Sequence, residues 1–105
     1  MQDLTASIER MIEVEASLGI RLNALSAFLD DDGDLKVFGE AHFTKAPSED
    51  SSASVNVVVY DSDGKIVGKT DTFIGSAGMV FDAFDVYVYG LARPAAKVRV
   101  FLKKE

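Results

Sequence analysis

Six aspartates crowd two short turns, Asp30-Asp31-Asp32-Gly33-Asp34 and Asp61-Ser62-Asp63-Gly64. Carboxylates projecting from neighbouring loops are the groups that gather a hard cation such as calcium through roughly six to eight oxygens. A calcium-dependent reading would draw its ligands from Asp30, Asp32, Asp34, Asp61 and Asp63. It would not be an EF-hand: twelfth from Asp30 stands Ala41 and twelfth from Asp61 stands Thr72, so the bidentate glutamate is missing from both loops. The same aspartates have a conformational reading, in which they accept hydrogen bonds from turn N–H groups and tolerate left-handed backbone.

Other reactive side chains are sparse. His42 is the single histidine and cysteine is absent, so zinc would have to be held by one imidazole and carboxylates. A half-buried or surface histidine is the simpler expectation. No Gly-x-Ser-x-Gly elbow occurs, and Gly75-Ser76-Ala77-Gly78 lacks both that spacing and the lysine of a phosphate-binding loop. Asp82 and Asp85 fall on opposite faces of a strand, so they do not form the facing carboxylate pair of a glycosidase. The residues point away from an enzyme and imply no cofactor.

Aromatic side chains offer the other kind of site. Phe73, Phe81, Phe84, Tyr87, Tyr89 and Phe101 gather in the C-terminal third, and alternation puts Tyr87 and Tyr89 on one face with Asp85. Tyrosines in a row combine apolar area with a hydroxyl handle at low entropic cost, which suits recognition of a protein or polymer. Tyr87, Tyr89 and Phe101 are the candidate partner-binding residues, against the alternative of ordinary cross-strand packing.

Positioning these groups falls to β-hairpins. Asp32-Gly33 and Asp63-Gly64 each separate two segments of alternating apolar and polar residues, and Asp-Gly supplies the positive φ that a tight hairpin requires. Strands are expected over residues 21–29, 35–43, 54–60, 65–73, 79–89 and 97–103. A further alternating run, Ile12, Val14, Ala16, Leu18, Ile20, Leu22 and Ala24, predicts a strand from 12 onward with a break near Ser17-Leu18-Gly19, because thirteen residues exceed a usual strand. Residues 1–11 read as a short helix or a flexible arm. The polar stretch from Thr44 to Ser52 reads as an exposed loop carrying the chain between sheets.

About seven strands in 105 residues predict one all-β domain, a two-layer antiparallel β-sandwich. Its expected core is Val14, Leu22, Leu25, Val37, Val57, Val59, Ile66, Phe73, Phe84, Val86, Val98 and Val100. The hairpin Val57-Val58-Val59-Tyr60-Asp61-Ser62-Asp63-Gly64-Lys65-Ile66-Val67-Gly68, with Leu35-Lys36-Val37-Phe38-Gly39-Glu40 before it and Val98-Arg99-Val100-Phe101 after it, resembles the FxLYD-type immunoglobulin-like domain over about residues 22–102. Val58 stands where that pattern has its bulky residue two before the tyrosine. The resemblance implies an accessory or binding domain, often extracytoplasmic in bacteria, without catalytic residues.

Charge narrows the partners. The net charge is −6, and residues 1–50 carry eleven acids against four bases, whereas residues 51–105 carry six against seven. An acidic chain is a poor ligand for a polyanion, so nucleic acid is not an expected partner. Arg93, Lys97, Arg99, Lys103 and Lys104 read as outward positions of the last strand, facing Glu13 and Glu15. The apolar runs are far shorter than a membrane-spanning helix. With no leader in the chain as given, a cytoplasmic location is the default, and an extracytoplasmic one follows if a leader has been removed. Free strand edges also make a homodimer through an edge strand an expected form of association.

Overall fold

A computed structural model describes residues 1–44, 53–75 and 80–104. Two four-stranded sheets share one apolar core. The first contains β1 (Gln2–Asp3), β3 (Ile20–Leu29), β4 (Leu35–Phe43) and β7 (Phe81–Val88), in the order β1-β3-β4-β7. The second contains β2 (Ile8–Arg10), β5 (Ala53–Tyr60), β6 (Ile66–Ile74) and β8 (Lys97–Lys104), in the order β2-β8-β5-β6. All pairings are antiparallel except that of β2 with β8. The protein is thus all-β, as its alternation predicts. The residue 76–78 part of the glycine-serine stretch, Met79, and positions 45–52 of the expected exposed loop lie outside the described residues.

The two Asp-Gly turns are built alike. Asp30 Oδ1 accepts from the N–H groups of Asp32 and Asp34 at 2.9 and 3.0 Å, and Asp61 Oδ1 accepts from those of Asp63 and Lys65, both at 2.9 Å. Gly33 and Gly64 take φ values of 82° and 79°, a region that glycine enters without a steric cost. Each turn closes one hairpin, and the inward residues of the flanking strands fill the core. Leu22, Leu35 and Val37 of the first sheet and Val55, Val57, Val59, Val98 and Val100 of the second are fully buried.

The N-terminal third departs from the expected pattern. Residues 12–18 form a helix, α1 (Ile12–Leu18), instead of a strand. The alternating set includes Val14 and Leu18, which an i, i+4 spacing places on one helical face, and both pack half-buried against the core. Gly19, at φ 69°, ends the helix in a left-handed cap, its N–H donating to the carbonyls of Ala16 and Glu15. Of the short helix or arm expected over residues 1–11, the helix is a single 3-10 turn, Thr5–Ser7, set between two short strands. Strand β1 joins one sheet, the short turn Thr5–Ser7 follows with Leu4 buried beneath it, and β2 joins the other sheet. Leu4 donates its N–H to the Ala27 carbonyl at 2.8 Å, anchoring this crossing.

Two register shifts redistribute the core. The expected break near Ser17-Leu18-Gly19 is the end of α1. A bulge lies farther on, where Ala24 and Leu25 fall between the Asn23–Glu40 and Ser26–Phe38 pairs, with Ala24 at φ 53°. The second places Val67 between the Val59–Gly68 and Tyr60–Ile66 pairs. This bulge turns Ile66 outward, so Ile66 is 59% exposed and not a core residue. Phe73, 73% exposed, is likewise outside the core because it lies on the outer face of edge strand β6.

Candidate functional site

The outer face of the first sheet carries the aromatic surface. Pairing across β4 and β7 sets Tyr87 opposite Lys36, Asp85 opposite Phe38 and Phe81 opposite His42, with Phe28 of β3 beyond Lys36. Tyr87 and Tyr89 stack with ring centroids 5.9 Å apart and planes 12° from parallel. Tyr89 is 71% exposed, and Phe38 and Phe81 also reach solvent. The Tyr87 hydroxyl donates to Asp85 Oδ2 at 2.9 Å, and this bond to a neighbouring carboxylate raises the phenol pKa above its ordinary value. The same bond ties the ring to Asp85 on its own strand.

Phe101 does not join the tyrosines. It lies on β8, paired with Asn56 on the outer face of the second sheet. Sequence order placed it in the same aromatic third, but the chain has crossed to the other sheet by residue 97. Two members of that aromatic face escaped the sequence reading, Phe28 and Phe38, whose rings lie 6.4 Å apart. Their alternation with core residues was visible; their alignment with β7 depends on the β4–β7 register.

The acidic turns are bound to the β7–β8 connection, the first through its backbone and the second through the Arg93 side chain. Asp34 Oδ1 accepts from the Gly90 N–H at 2.8 Å, the Gly33 carbonyl accepts from Leu91 at 3.1 Å, and Arg93 meets Asp61 Oδ2 at 3.2 Å. Both hairpin tips thus grip one loop. Asp31 pairs with the N-terminal amine, and among the described residues no group of three or more histidine, cysteine, aspartate or glutamate side chains is arranged to hold a metal ion.

These bonds make the turns sensitive to acid. The Lys65 N–H, helped by those of Asp63 and the charge of Arg93, holds the Asp61 carboxyl below its ordinary pKa. The Asp34 and Asp32 N–H groups do the same for Asp30. Because the unfolded carboxyls bind protons more readily, this stability is fully present above about pH 4 and is lost as pH falls toward the lower folded values. Asparagine keeps the Oδ1 acceptor but cannot titrate. A doubly substituted Asp30→Asn, Asp61→Asn protein should therefore lose less stability than the parent between pH 5 and pH 2, measured as urea midpoints across that range.

The remaining chemical candidates have structural partners. His42 lies 3.2 Å from Glu40 Oε1 and edge-on to Phe81 at 5.0 Å. Asp82 turns inward and accepts from the Gly75 N–H at 3.1 Å, while Asp85 faces outward. The C-terminal bases do meet an N-terminal acid, but it is Glu9, not Glu13 or Glu15. Arg99 binds Glu9 at 2.6 Å and Lys97 at 3.4 Å, because β2 lies parallel beside β8. Arg93 is not on the strand; it belongs to the loop gripped by Asp61. No helix among the described residues is long and apolar enough to cross a membrane.

No family model, curated protein or solved structure matches this chain.

Proposed function

We propose that this chain is an immunoglobulin-like β-sandwich of FxLYD type that serves as a non-catalytic interaction module, binding a protein or polymer partner through the tyrosine-bearing edge of its first sheet. The observation that carries the reading is the stacked pair formed by half-buried Tyr87 on edge strand β7 and exposed Tyr89 just beyond its end. A stacked pair presents a flat apolar surface already ordered before a partner arrives, and the Asp85 bond limits the entropy lost on binding. The resemblance is supported by β5 ending at Tyr60 and turning through Asp61, Asp63, Gly64 and Lys65 into β6. A non-catalytic role accords with the carboxylates of Asp30, Asp61 and Asp82 being engaged by backbone N–H groups.

Tyrosine emission provides the test. The chain has no tryptophan and three tyrosines, of which Tyr87 and Tyr89 form the proposed site and Tyr60 lies on the other sheet, so a Tyr60→Phe background makes its fluorescence a report on that site. Titration with a panel of soluble polysaccharides and unstructured peptides is expected to change that emission for at least one class. Replacing Tyr87 and Tyr89 together by serine should weaken the same binding about tenfold or more, as loss of aromatic anchors does. Undiminished binding by the double variant, read by calorimetry, would place recognition elsewhere.

A further inference from the structure

The exposed face of β6 carries two charges that no ion pair among the described residues uses. β6 ends the second sheet, so one side of its backbone is hydrogen-bonded to no further strand of that sheet, while β7 packs nearby from the first sheet. Ile66 and Phe73, among the most exposed large apolar residues, stand near its two ends, with exposed Lys69 and Asp71 between them. Neither charge has an ion-pair partner among the described residues, although every strand pairing places them on the same outer face: Ile66 opposite Tyr60, Lys69 opposite Val58, Asp71 opposite Asn56 and Phe73 opposite Ser54.

Read in both directions from Thr70, Ile66-Val67-Gly68-Lys69-Thr70-Asp71-Thr72-Phe73-Ile74 is self-complementary. Two apolar residues, a small residue and a base precede the centre; an acid, a small residue and two apolar residues follow it. We propose that β6 pairs antiparallel with β6 of a second copy about a two-fold axis through Thr70, joining the two second sheets into one. In that register Lys69 faces Asp71 of the second copy and Asp71 faces its Lys69. The Val67 bulge, by returning Ile66 to the outer face, brings it toward the other copy's Phe73.

Charge selects this register. An axis at Lys69 would oppose two lysines, and one at Asp71 two aspartates. Axes at Gly68 or Thr72 would leave at least one charge opposite an apolar residue. Parallel pairing in register would align like charges along the strand. Opposite charges directly across an antiparallel pair stabilise it and like charges destabilise it, so the order of β6 fits its own copy. The interface is distinct from the tyrosine edge, which belongs to β7 of the other sheet.

Charge exchange tests the proposal. Sedimentation equilibrium of the intact chain should show a concentration-dependent dimer. Lys69→Asp and Asp71→Lys should each weaken dimerisation about tenfold or more, since each places like charges across both symmetric pairs. Mixing the two variants should restore association as a heterodimer, and the double exchange Lys69→Asp, Asp71→Lys should restore the homodimer. Phe73→Ser should weaken it without altering charge. A parent chain that stays monomeric up to its solubility limit would overturn the proposal. So would a dimer indifferent to the exchanges, or variants that weaken but do not recover on mixing; circular dichroism on each variant confirms that the fold is retained.

Discussion

Replacing Arg10 by alanine is expected to lower the free energy of unfolding by about 3–5 kcal/mol, because it leaves the buried Glu15 carboxylate without its cation. Glu15 is 3% exposed although it lies on a short surface helix. Arg10 donates to both of its oxygens, Nε at 3.2 Å and an Nη at 2.5 Å, and also to the Leu22 carbonyl at 2.7 Å. The Leu22 N–H in turn donates to Glu15 Oε1 at 3.0 Å. The pair occupies the place of a missing strand. β1 covers β3 only at Phe28 and Leu29, leaving the edge beside Leu22 without a backbone partner, and the Arg10–Glu15 pair satisfies both polar groups there.

The distinction between charge and hydrogen bonding is measurable. Glu15→Gln keeps an oxygen for the Leu22 N–H and should cost less than Glu15→Ala, whereas Glu15→Ala leaves that buried donor unsatisfied. Glu15→Ala removes the buried charge itself and leaves the exposed Arg10, so it should cost less than Arg10→Ala, about 1–3 kcal/mol for the unsatisfied Leu22 N–H. Urea unfolding of the singles and the Arg10→Ala, Glu15→Ala double should reveal a coupling of about 1–3 kcal/mol. Additive losses would show that the two side chains act independently and would remove the strand-substitute explanation.

Gly39→Ala should destabilise by about 1–3 kcal/mol, and Gly39→Val by more, through overpacking. A Cβ at Gly39 would come within 2.6 Å of both Leu25 Cδ2 and Phe84 Cζ. Leu25 reaches that space because the Ala24 bulge reverses the side-chain parity of β3 opposite Gly39. The bulge and the glycine are therefore one packing unit. Ala24 occupies a left-handed position where L side chains are disfavoured, so Ala24→Gly should raise stability, by about 0.5–1 kcal/mol after the added freedom of the unfolded chain is offset. Opposite signs at these two positions, read from urea midpoints, would establish the geometry; stabilisation by Gly39→Ala would contradict it.

Both hairpins were legible from residue types because turn chemistry is local. Asp30 and Asp61 bind N–H groups two and four residues ahead, which requires no knowledge of the rest of the chain. The strand β4 follows the expected 35–43 range, and the others lie within a few residues of theirs. The run from Ile12 to Leu18 misled because period two also contains an i, i+4 pair. Val14 and Leu18 serve a helix as well as a strand, and only the left-handed Gly19 marks its end. Apolarity places Ile66 and Phe73 in the core but registers neither the Val67 bulge nor which face of β6 points outward.

Amino-acid order by itself determined the all-β class, the two Asp-Gly turns, most strand positions and the shared face of Tyr87 and Tyr89, since all follow from interactions between residues near in sequence. Tertiary structure alone decided that Phe101 lies away from those tyrosines, that Arg10 and Glu15 complete the edge of β3, and that Asp34 and Asp61 hold the β7–β8 connection. These outcomes depend on which strands become neighbours and on where bulges shift their register. Such contacts are selected by burial over the whole chain, so no short segment contains them.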